Sequence, residues 1–215
     1  MARHSDQPPT FSRRGALKTG AAGIAWLVGL GHITPAIASD LTRLAGDQPM
    51  TGARLARILQ DERTHWNALL AQIPTDHMEE PGVEGVWSVK ELVAHLTWFE
   101  GRVVESARQV LHTGTFTRPD RDGLSLDEWN VRLADVSRTR PLVEVLAEAD
   151  AVFGQLLQVV AACPQDLLND PSRLGLPEDF VPWMAIANNS YAHYREHEPA
   201  LRAWLARMGH TERVG

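Results

Sequence analysis

Apolar residues in this chain recur at steps of three and four over long stretches, and no stretch alternates at every second position. That period argues against a half-buried sheet and predicts helices, each with one stripe to bury. Over 51–73 the stripe is Leu55, Ile58, Leu59, Trp66, Leu69, Leu70 and Ile73, with Thr51 as N-cap and Pro74 as the stop. A second run opens at Ser88, where Ser88-Val89-Lys90-Glu91 has the form of a capping box, and continues to Leu111. A third extends from Pro141, placed where a missing N–H costs nothing, to Cys163. A fourth opens at Pro182 and persists to Met208, and LDEWNVRLADV (126–136) adds a short helix between the second and third. Long helices with one stripe each predict an all-α fold, a four-helix bundle with longer crossover connections.

A chain of 215 residues that is 44% hydrophobic can bury one sizeable core, so one main domain is expected. The formal charge of -6, with arginines interleaved among acidic residues, lacks the basic face of a phosphate-backbone binder, so no nucleic-acid partner is expected. Cys163 is the only cysteine, which excludes an internal disulfide and a thiolate metal cluster built from one chain.

The first forty residues have a different character. Arg13-Arg14 and Leu17-Lys18 precede a Gly- and Ala-rich apolar run, TGAAGIAWLVGLG, and Ala36-Ile37-Ala38 before Ser39 has the small-residue form of a cleavage site. This resembles a twin-arginine export signal. The run is too short and too interrupted by glycine for a stable membrane anchor. The expected divisions are a signal peptide at 1–38, a linker at 39–50, the bundle at 51–208 and a C-terminal tail at 209–215. Cleavage after Ala38 removes four basic residues and one acidic residue, leaving 17 basic and 26 acidic, a formal charge of -9.

On the last long helix the stripe reads Trp183, Ile186, Ser190, His193, His197, Leu201, Trp204 and Met208, so both histidines face inward. Imidazoles four apart on a helix stand about 5.4 Å apart, near enough for both to reach one divalent cation. His95, two turns beyond Ser88 and on the edge of its stripe beside Leu92 and Phe99, is the candidate third ligand. The same spacing also fits core histidines satisfied by hydrogen bonds. His65 and His77 read as boundary or surface residues. Glu100 falls at the centre of its stripe, where a buried carboxylate is costly unless paired, which predicts an arginine partner from another helix.

GVEGVWSVKELVAHLTWFE (82–100) and SYAHYREHEPALRAWL (190–205) resemble the two signature segments of the DinB/YfiT-like four-helix bundle superfamily. LDEWN (126–130) is similar to the middle segment of its ClbS/DfsB-like branch. The resemblance implies that His95, His193 and His197 bind a divalent metal, zinc or nickel. It implies less about activity, because the superfamily includes thiol-dependent transferases, isomerases and enzymes that protect against toxic metabolites.

An exported, periplasmic or envelope protein is separated from the cytosolic thiols that a thiol transferase needs. Hydrolytic or protective chemistry on a small molecule therefore fits better, with Glu196 and Glu91 as candidate general bases. The alternative is a non-catalytic protein that sequesters a small ligand in a cleft lined by Trp98, Trp129 and Tyr191. The export machinery is an expected partner, and a homodimer is left open.

Overall fold

The computed structural model describes residues 39, 41, 43, 48–117 and 122–211. The expected signal peptide and the last four residues of the expected tail lie outside them. Seven α-helices are present among the described residues: α1 (Gly52–Leu70), α2 (Val89–Thr113), α3 (Leu126–Arg138), α4 (Leu142–Ala161), α5 (Gln165–Asn169), α6 (Pro182–Asn188) and α7 (Tyr191–Thr211). Short 3-10 turns cover Thr75–His77 and Pro171–Leu174. No strand is formed among the described residues, and none of their helices is long and apolar enough to cross a membrane.

The ends of the helices follow their sequence signals. Thr51 caps α1 by accepting from Arg54 N. Ser88 and Glu91 form the expected capping box on α2, which Gly114 closes in the left-handed region at φ 72°. Ser125 and Glu128 form a second capping box on α3. α1 ends at Leu70, where the sequence predicts Ile73, because Gln72 and Ile73 donate to carbonyls three residues back and tighten the chain into a turn before Pro74.

Four long helices make the bundle. α4 packs between α1 and α2, and α7 packs against α1 and α2 on the other side. α1 and α2, neighbours in the chain, therefore stand diagonally across the bundle, and the connection 71–88 crosses its end. That crossover delivers Glu84 to His197 of α7 and Trp87 to His95 of α2. The segment expected as a linker is partly packed: Leu41 and Met50 are buried in the core, and Met50 exchanges two main-chain hydrogen bonds with the side chain of Asn169.

The fourth long helix is broken where the sequence predicts continuity. α6 ends at Asn188 and α7 begins at Tyr191. Asn189 Nδ2 donates to Ala185 O at 2.7 Å and Ser190 Oγ to Ile186 O at 2.7 Å, while the main-chain N–H groups of both residues bond three residues back. Short polar side chains that take carbonyls from the helical ladder open it locally. Ser190 nevertheless keeps the phase of the stripe, so hydrophobic period alone does not reveal the break.

Close approach of α1 to α4 rests on Gly52. A Cβ at this position would lie 2.5 Å from Val160 O and 3.0 Å from Ala161 O. Those atoms are main chain and cannot swing aside, so Gly52→Ala is expected to destabilise the fold by about 1–3 kcal/mol, the range for overpacking. This outweighs the ~1 kcal/mol of helix propensity that alanine gains. Thermal denaturation checks it, and a variant as stable as the parent would remove the close contact as a constraint.

Candidate metal centre

Three buried imidazoles meet between α2 and α7. His95, His193 and His197 are 4%, 6% and 8% exposed, and one ring nitrogen from each lies within 4.8 Å of the other two. His95 Nε2 stands 3.1 Å from His193 Nε2, and the ring centroids are 4.8–5.3 Å apart. Phe99 sets its ring 4.8 Å from both His95 and His193, and Trp87 lies 5.0 Å from His95.

The donor set fits a divalent cation. Two nitrogens sharing an ion at about 2.0–2.1 Å in tetrahedral geometry would be roughly 3.3 Å apart, close to the 3.1 Å between His95 Nε2 and His193 Nε2. Three atoms no more than 4.8 Å apart always lie within about 2.8 Å of a common point, less than 1 Å beyond a Zn–N bond. His197 Nε2 is buried with no hydrogen-bond partner in the protein. Burial, reinforced by the charge of the neighbouring imidazole His197, lowers the His95 pKa to about 3. Burial also places His193 well below its ordinary value, with smaller contributions from His95 and His197. Both rings are neutral at pH 7, the form whose lone pair binds a metal.

The histidines open onto a cavity of about 240 Å³, whose other walls include Glu84, Trp87, Phe99, Leu126, Asn130 and Glu196. Asn130 Oδ1 is buried without a protein donor. α3 presents Leu126 and Asn130, one turn apart, to this cavity. The aromatic walls of the cavity differ from those the sequence predicts. Trp98 and Trp129 pack against each other at 5.4 Å, and Tyr191 is fully buried in the core, so the aromatic walls of the cavity are Trp87 and Phe99.

Of the two candidate bases, Glu196 lines the cavity and Glu91 does not. Glu91 Oε2 accepts from Ser88 N at 2.6 Å and Oε1 pairs with Arg138 at 2.7 Å, so this carboxylate is engaged in capping α2 and holding α3. His65 pairs with Glu198 at a mostly exposed position and His77 pairs with Glu80, the boundary and surface roles expected of them. Glu84 had no signal beyond a carboxylate beside glycines. Its Oε2 lies 2.5 Å from His197 Nδ1, and that hydrogen bond lowers its pKa.

Glu100 is fully buried, as its place in the stripe predicts, and its arginine partner is Arg63 of α1, with Nη1 3.5 Å from Oε2. Tyr194, next to His193, donates a very short hydrogen bond to Glu100 Oε1. Arg63 also donates to Tyr194 OH at 3.0 Å and to the exposed Asp150 at 3.3 Å. Desolvation outweighs Arg63 and Tyr194 and pushes the Glu100 carboxyl up to about 7.

The sequence profile of the DinB superfamily matches residues 58–198. Among curated proteins none matches the chain. A crystal structure of an uncharacterised protein from Escherichia coli UTI89 superposes with a TM-score of 0.63 at 18% identity, covering 75% of this chain and 96% of that one. A protein from Streptococcus pneumoniae superposes with a TM-score of 0.61 at 13% identity, covering 73% and 91%. At those identities the likeness concerns the fold alone. The profile spans most of the bundle, including all three clustered histidines, and the chain belongs to the DinB superfamily.

Proposed function

We propose that His95, His193 and His197 hold one divalent cation, zinc or nickel, and that the protein is an enzyme using it in hydrolytic or protective chemistry on a small molecule. The observation that carries this reading is the convergence of three buried ring nitrogens, within 4.8 Å of one another, on a cavity of about 240 Å³. Three protein nitrogens with an open side are the arrangement of catalytic zinc sites, while closed four-ligand sets are structural. A cation held there supplies Lewis-acid polarisation of a substrate oxygen.

The chain's own groups supply the rest. Trp87 and Phe99 cover the imidazoles and limit water around them. Asn130 Oδ1 accepts a hydrogen bond from a substrate N–H or O–H. Glu196, on the wall of the cavity, provides a carboxylate to take up or return a proton. Elemental analysis of protein folded in its host, purified without added metal, tests the reading. About one zinc or nickel per chain supports it, and protein free of metal makes a sequestering binder of small ligands the better account.

The same reading places the protein outside the cytosol, delivered by the twin-arginine machinery. Its support is the pair Arg13-Arg14, the weakly apolar run after it and the small residues before Ser39. Changing both Arg13 and Arg14 to Lys is expected to strand the protein in the cytoplasm at precursor length, as fractionation and N-terminal sequencing would show. Undiminished export of the double variant would refute this.

A further inference from the structure

The geometry assigns Glu84 as the positioning residue of the site, the carboxylate that fixes the tautomer and ring orientation of His197 so that Nε2 faces the other two imidazoles. The inference rests on the metal reading above and adds a residue that neither helix period nor family membership singles out.

A carboxylate of ordinary acidity only accepts hydrogen bonds. With Glu84 Oε2 2.5 Å from His197 Nδ1, the ring proton resides on Nδ1, and a neutral imidazole then keeps its lone pair on Nε2. That atom is buried and has no partner in the protein. A carboxylate behind a ligating imidazole orients it and raises its basicity, the usual outer partner of a metal-bound histidine. His95 Nδ1 and His193 Nδ1 are buried with no such partner. Those two rings are held by packing against each other and Phe99. His197 is therefore the ligand of the three whose Nδ1 is fixed by a carboxylate.

The turn that carries Glu84 is built to hold it. Trp87 N donates to Glu84 O at 3.1 Å, and Gly82 N and Val83 N both donate to Trp87 O. Gly85 completes the reversal at φ +60°, a region that favours glycine. Arg207 Nη2 donates to Gly82 O at 2.8 Å, which ties the turn to α7, the helix that bears His197. One tight turn thus presents Glu84 to His197 and Trp87 to His95. The Glu84 side chain is 44% exposed, so truncating it opens no cavity in the core.

The test compares zinc affinity, by competition with a chelator, in the parent protein, Glu84→Ala and Glu84→Gln. Glu84→Ala is expected to bind ~10–100-fold more weakly, the range for loss of an outer-sphere partner, with the metal-free melting temperature unchanged. Glu84→Gln, whose amide oxygen still accepts from Nδ1, is expected to recover most of the affinity. Long-range proton–nitrogen NMR of the metal-free protein gives an independent readout: His197 carries its proton on Nδ1 in the parent and in Glu84→Gln, and loses that preference in Glu84→Ala. Equal zinc affinity in the parent and Glu84→Ala, or an unchanged tautomer in Glu84→Ala, would overturn the inference while leaving the metal site standing. Failure of the parent itself to bind zinc or nickel would remove the metal reading and this inference together.

Discussion

Glu100→Ala is expected to destabilise the protein by ~3–5 kcal/mol, the cost of leaving a buried cation, Arg63, without its partner. The side chain is fully buried, and its loss strips a partner from both Arg63 and Tyr194 in the middle of the bundle. Asp150 remains to Arg63, but it is mostly solvent-exposed and cannot replace a buried acceptor. Chemical denaturation gives the number. A loss under about 1 kcal/mol, the scale of surface substitutions, would mean that the carboxyl is solvated.

Glu100→Gln separates charge from shape. The folded protein keeps the Glu100 proton up to about pH 7, against a reference of 4.5. Between those values the folded state binds more protons than the unfolded chain, so this group makes stability fall as pH rises. The decrease is on the order of 3 kcal/mol across the window. Glutamine cannot titrate and still offers an oxygen to Tyr194. The stability difference between parent and Glu100→Gln should therefore change with pH over that interval and level off on both sides. A difference independent of pH would place the carboxyl at its ordinary acidity.

Alanine at any one of His95, His193 or His197 is expected to abolish stoichiometric metal at neutral pH while leaving the far-ultraviolet circular dichroism close to that of the parent. Each ring is one of three donors clustered among the described residues, and two imidazoles from one chain do not make a tight site for zinc. The helices do not depend on the ion to form, because the bundle buries a large apolar core on α1, α2, α4 and α7. Metal retained at full stoichiometry in all three variants would show that the ion is held elsewhere. Collapse of the helical signal would show that the histidines hold the fold.

The bundle and its histidines were legible for one reason: helical period fixes which side chains share a face. It put His193 and His197 together and Glu100 in the interior without knowledge of any partner. What it could not supply was the path of the connections. Glu84 and Trp87 belong to the segment that crosses the bundle end, and Glu84 meets His197 of α7 more than 100 residues away in the chain. For the same reason Trp98, Trp129 and Tyr191 suggested a cleft wall from composition, while the observed wall includes Phe99 and the loop residue Trp87. Arg63 was foreseeable as a class of partner, but the contact of Tyr194 with Glu100 depends on how α7 rotates against α2.

The interruption at Asn189 and Ser190 also changes how errors travel along the chain. In one unbroken helix a local overwinding near Pro182 would rotate every later residue, turning His193 and His197 away from His95. Here the histidine pair takes its phase from a helix that begins at Tyr191 and is anchored by its own contacts with α1 and α2. Changes at Pro182, Ala185 or Ile186, which line the neighbouring apolar hollow, therefore reshape that hollow without rotating the three rings.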